Sequence, residues 1–136
     1  MRLYRYINEN LNNCTEKEQI KSVKKSAYSI QHIDNPSERV QLASVSKDGD
    51  AIRYIDNPTE KVKSIAVKNN IMAIQHINSP DEKLQLKAVK QNGFSIKFID
   101  NPSERVQLAA IKQNPLSIGY IDNPSEKVIK KVKKYT

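Results

Sequence analysis

At 136 residues, 38% hydrophobic and 28% charged, the chain has apolar side chains for one thin core but too few for a broad globular one, and no stretch has the length and apolarity of a signal peptide or a membrane span. A single cysteine, Cys14, excludes a disulfide framework and a Cys-x-x-Cys metal or redox pair, so a reducing, cytoplasmic setting is expected. The net charge is +8, and half of that excess sits on Lys130, Lys131, Lys133 and Lys134; a balance of this kind suits nucleic acid, an acidic protein or simply solubility.

Pro36, Pro58, Pro80, Pro102 and Pro124 follow one another at intervals of 22 residues, and the stretch 34–45 is nearly repeated at 100–111. A fixed period in this range predicts a stacked array: an all-α solenoid of six short helix-turn-helix repeats, HEAT-like with shorter helices, forming one domain over 1–136. Residues 1–25 make an N-terminal capping repeat. In it Tyr4-Arg5-Tyr6-Ile7-Asn8 matches Ile52-Arg53-Tyr54-Ile55-Asp56, and Tyr6 lies 26 residues before His32, so the copy carries four extra positions. Cys14 stands where the later copies have proline and reads as a loop residue, since no histidine or other base partners it in sequence.

Each later copy reads as two helices. The first is short, with its core at i, i+3: Ile30 and Ile33, Ile52 and Ile55, Ile74 and Ile77, Ile96 and Ile99, Ile118 and Ile121. It ends at the Asp-Asn-Pro turn, because a residue before proline resists helical geometry. The second opens at Asn35-Pro36-Ser37-Glu38 and its counterparts, with the Asn expected as cap, Pro at the first helical position and Glu reaching back from the third. It stops at Asp48-Gly49, Asn69-Asn70, Asn92-Gly93 or Asn114-Pro115. Helices this short are marginal alone, so packing between copies must hold them.

The end copies indicate how the array stacks. In the middle copies the second helix is apolar on two sides, Val40 with Ser44 and Leu42 with Val45, as a helix between two neighbours requires. The first copy changes one side to Glu18 and Ser22; the last, a C-terminal capping helix over 124–136, changes the other to Lys130 and Lys133. This predicts that Glu18 and Lys133 are exposed, that the Leu42/Val45 side faces the C-terminal neighbour, and that the array is complete.

Signatures of catalysis and cofactor binding are absent: no Gly-rich phosphate loop, no Gly-x-Ser-x-Gly, no His-Glu-x-x-His. His32 and His76 are two copies apart, about 16–20 Å at ordinary helix spacing, too far to share a metal. No enzyme, cofactor, metal or small-molecule substrate is expected. Two columns remain. Tyr6, His32, Tyr54, His76, Phe98 and Tyr120 place a ring in every copy; with neighbouring Arg53, Gln75 and Lys97 they form either mortar between repeats or a half-exposed track for a protein partner's peptide or for bases. A basic stripe runs through Lys17, Arg39, Lys61, Lys83, Arg105 and Lys127, with Lys68, Lys90 and Lys112 seven residues after three of them. It keeps the surface wet, tracks the phosphates of a nucleic acid or meets an acidic protein partner. A third column, Gln19, Gln41, Lys63, Gln85, Gln107 and Ile129, faces either water or the other helix layer.

The wording Val-Gln-Leu-Ala-Ala-Ile-Lys-Gln-Asn at 106–114, followed by Ser117-Ile118-Gly119-Tyr120-Ile121, resembles the short helix-pair repeats of phage and bacterial proteins and is similar to domain of unknown function 4116. The resemblance covers nearly all of the chain and departs at the tight Asp-Asn-Pro turn. It implies an α-solenoid with no catalytic residues, and by analogy a phage-encoded inhibitor of a bacterial defence system. The expected function is a non-enzymatic scaffold that engages a partner protein through its repeat surface, with nucleic-acid binding as the alternative.

Overall fold

The computed structural model describes residues 10–136, so Tyr6 and the 4–8 match lie outside the described residues. Among the described residues every regular element is a helix. The α-helices are α1 (Glu16–Lys25), α2 (Glu38–Lys47), α3 (Glu60–Asn69), α4 (Glu82–Gln91), α5 (Glu104–Gln113) and α6 (Glu126–Lys133). They alternate with 3-10 helices η1 (Leu11–Asn13), η2 (Ala27–His32), η3 (Gly49–Tyr54), η4 (Ile71–His76), η5 (Gly93–Phe98) and η6 (Pro115–Tyr120). This is the all-α, 22-residue helical repeat fold of the solenoid class.

The chain divides into two compact units, Met1–His76 and Ile77–Thr136. In the first, α1 packs on α2 and α2 on α3, while η2 packs on η3 and η3 on η4; in the second, α4, α5 and α6 stack in order beside η5 and η6. Each unit is thus two layers deep, and the core lies between the layers. Val40, Val45, Val62 and Val67 enter it from the α-layer and Ile30, Ile52 and Ile74 from the 3-10 layer of the first unit; Val106, Ile111 and Ile96 do so in the second. All are 2% exposed or less, which decides that the repeat's apolar positions are core and not surface decoration.

The short first helices are 3-10, not α-helical. A 3-10 turn takes 3.0 residues, so positions i and i+3 stand directly above each other, and the isoleucine spacing is the native period of that helix. Ile55 donates its backbone N–H to Ile52 at 3.0 Å and closes the element in an extended conformation. The entry is equally local. Asp48, Asn92 and Asn114, expected only as stops for the preceding helix, also cap the following one, their side chains accepting from Asp50, Phe94 and Leu116 N–H.

The expected capping scheme is displaced by two residues. The N-cap is Ser37, Thr59, Asp81, Ser103 or Ser125, each accepting from the backbone N–H three residues on, and the glutamate stands at the first helical position rather than the third. Asn35, Asn57, Ser79, Asn101 and Asn123 cannot be caps because their φ angles are +47° to +52°, in the left-handed region. Each makes a turn that leaves the following proline just before the cap, outside the helix whose first position it was expected to take. Among the described residues the reciprocal capping box is complete only at Thr15 and Glu18. Asparagine tolerates left-handed geometry better than serine, so Ser79→Asn is expected to stabilise the second unit by about 0.5–1 kcal/mol, as checked by urea denaturation.

In the third column the half-buried glutamines staple the turn to its helix, whereas Lys63 pairs with Glu60 and Ile129 is exposed to water. Gln41, Gln85 and Gln107 donate Nε2 to the carbonyls of Pro36, Pro80 and Pro102 at 2.8–3.0 Å. Glu18 and Lys133 are exposed as expected. Ser44, fully buried, donates Oγ to the Ala27 carbonyl at 2.8 Å, which ties α2 to η2, the 3-10 helix of its own repeat.

A hydrogen-bond ladder that the sequence reading missed joins consecutive α-helices. Ser37 Oγ, while accepting from Val40 N–H, donates to Glu16 at 2.7 Å, and Arg39 reaches the same carboxylate at 2.9 Å. In the second unit Ser103 donates to Glu82 and Ser125 to Glu104, both at 2.7 Å. At these three caps the serine hydroxyl of one repeat bonds the first-turn glutamate of the one before it.

Candidate functional site

The ring column and its neighbours lie on the 3-10 layer, and each unit builds its own cluster there. In the first unit Tyr54 is 38% exposed and meets Tyr28 edge to face, with centroids 5.9 Å apart. The Arg53 guanidinium lies 5.3 Å from the Tyr54 ring centre and donates to Asp50 at 3.2 Å. Asp50 is the hub. Its other oxygen lies 3.0 Å from His76 Nε2, and the Tyr28 hydroxyl donates to Asp48 at 3.0 Å and reaches Asp50 at 3.4 Å.

The bond to Asp48 holds the Tyr28 phenol above its ordinary range, because ionising it would forfeit a donor and set a second negative charge beside the carboxylate. Asp48 is held below its ordinary range, first by the Asp50 backbone N–H it caps and then by Tyr28. The signs follow by linkage: the Tyr28 contribution is complete below pH 10.0 and fades as the phenol ionises above it, while that of Asp48 is complete above pH 3.8 and fades in acid.

In the second unit Tyr120, 50% exposed, meets Phe94 edge to face at 5.6 Å, and Lys97 Nζ lies 4.9 Å from the Phe98 ring centre and 5.8 Å from that of Tyr120. Of the other expected contact residues, His32 and Gln75 are exposed and His76 and Phe98 half-buried.

The observed pairings differ from a column stacked on itself. The ring of one repeat packs on a residue 26 positions earlier: Tyr54 on Tyr28, His76 by Asp50, Tyr120 on Phe94. Tyr28, Asp50, Met72, Phe94 and Leu116 are thus a second column that the sequence reading passed over. Its signal was available, since these residues sit 22 apart and, from Asp50 on, two places after the Asp or Asn that ends each α-helix.

Each unit carries its own part of the basic stripe on its α-helices: Lys17, Arg39, Lys61 and Lys68 in the first and Lys83, Lys90, Arg105, Lys112 and Lys127 in the second are all exposed. Two of its members are tied locally, Arg39 to Glu16 at 2.9 Å and Arg105 to Glu82 at 3.7 Å. Among the described residues no group of three or more His, Cys, Asp and Glu could hold a metal ion, and no helix is long and apolar enough to cross a membrane.

Fold and surface together define a helical repeat protein with a ring-bearing 3-10 layer. Comparison with family models, curated proteins and solved structures finds no match to this chain.

Proposed function

We propose that the chain is a non-enzymatic scaffold that binds a partner protein through the 3-10 layers of its two units. One observation carries this reading. Among the described residues, five of the seven large apolar side chains left exposed lie on the 3-10 layers, Tyr28, Tyr54 and Met72 in the first unit and Leu116 and Tyr120 in the second, between 37% and 72% exposed; the other two are Ile129 and Tyr135. Tyr, Met and Arg are the types enriched where protein interfaces carry their energy, and Arg53 and Lys97 are already held against rings, so less side-chain freedom is lost on docking. The inhibitor role implied by the resemblance to phage and bacterial repeats is a narrower form of the same proposal and stands on that resemblance alone.

Affinity capture with the full chain tests it, comparing wild type with the Tyr54→Ala, Phe98→Ala variant. The expected result is about tenfold lower recovery of the specific partner by a variant that keeps its helical circular dichroism. Equal recovery removes the ring clusters from the interface. The exposed basic stripe favours a second reading, nucleic-acid binding, whose mark is an affinity for DNA or RNA that falls steeply with salt.

A further inference from the structure

A second surface, independent of the ring clusters, lies in the second unit between α5 and α6. Leu108, Ala109, Lys112, Lys127, Lys130, Lys131 and Lys134 line a groove of about 460 Å³. Five of these seven residues are lysines, none is acidic, and none of the five forms an ion pair among the described residues. Spacings of three and four along α6 bring Lys127, Lys130, Lys131 and Lys134 together, where like charges repel. Attraction to the helix dipole accounts for the lysines of the last turn only. Lys127 stands in the first turn of α6, at the positive end of the dipole, so the cluster is more than a solution to helix capping.

Despite its charge, the groove wall is mostly apolar, which means that Leu108 and the lysine stems form it and the ammonium heads border it. No aromatic residue lines it, so bases would find nothing to stack on, and a phosphate backbone has no use for an apolar floor. We infer that this groove binds an acidic amphipathic segment of a partner protein, a helix whose leucine-type side chains seat against Leu108 and Ala109 while its carboxylates meet the five lysines. Charge complementarity selects the occupant: an unpaired cationic rim around an apolar wall matches an anionic, amphipathic peptide.

The test uses the full chain and three fluorescent probes in about 0.15 M salt, read by anisotropy: a helix-forming Glu/Leu peptide with leucines at i, i+3, i+4 and i+7, an oligoglutamate of equal charge, and a short DNA duplex. The Glu/Leu peptide is expected to bind at least about tenfold more tightly than either other probe. The variant Lys130→Glu, Lys134→Glu, at two exposed positions, should weaken it about tenfold, while the Tyr54→Ala, Phe98→Ala variant should leave it unchanged. The inference is overturned by absence of peptide binding, by oligoglutamate or DNA binding as tightly as the peptide, or by indifference to the lysine reversals. Because the ring variant is a separate arm, failure here and failure of the 3-10 interface are distinguishable.

Discussion

Gly49→Ala is expected to destabilise the first unit by about 2–3 kcal/mol, on the order of 5–10 °C in melting temperature. A Cβ built on Gly49 would stand 2.1 Å from the Ala66 carbonyl oxygen and 2.9 Å from its carbon, and both belong to the α3 backbone. Backbone cannot swing aside as a side-chain tip can, so η3 must lift off α3 and loosen the contacts of Ile52 beneath it. The position is not glycine by turn geometry. Gly49 has no positive φ, and Ala27 occupies the same register in the repeat before it. Close approach alone excludes the methyl group. Gly119 supplies the control: a Cβ there meets nothing within 4 Å, so Gly119→Ala should be neutral or stabilising by up to about 1 kcal/mol, since only the unfolded chain loses freedom. Thermal and urea melts of both variants check the pair; a harmless Gly49→Ala would show that η3 and α3 pack less tightly than the structure has them.

Ser103→Asp is expected to cost about 1–2 kcal/mol, although aspartate caps isolated helices as well as serine does. The reason is the ladder. Ser103 Oγ accepts from Val106 N–H at 3.3 Å and donates to Glu82 at 2.7 Å. Aspartate preserves the first bond, loses the second, and sets a carboxylate against the glutamate, with Arg105 at 3.7 Å as partial compensation. Ser103→Ala, which removes cap and donor but adds no charge, should cost about 1 kcal/mol. The diagnostic is the order of the two in urea denaturation: if Ser103→Asp is as stable as wild type, the hydroxyl contributes only as a cap and the ladder adds nothing.

The repeat, its helical class and most of the core were legible from the chain alone. Proline spacing, the isoleucine pairs and the Asn or Asp stops are local patterns, and local patterns survive into structure when every copy repeats them. The exposed ends Glu18 and Lys133 were legible for the same reason. The caps were misplaced because Asn, Pro, Ser and Glu all favour helix starts; which one caps depends on a backbone angle, and the left-handed turn at Asn35 and its counterparts moved the start to Ser37. The first helices were expected without their 3-10 winding, although the i, i+3 isoleucines carried that period.

Partnerships across repeats were decided by packing. Nothing in the local sequence pairs Tyr54 with Tyr28, His76 with Asp50 or Ser103 with Glu82, because those contacts depend on how far one helix pair is displaced and rotated against the next. So the 22-residue chemistry of this protein, which side chains recur and which faces are apolar, is written in its sequence; the 26-residue ring contacts and the 21-residue hydroxyl ladder arise only when the copies are stacked, since a short helix pair positions its own side chains but not its neighbour's.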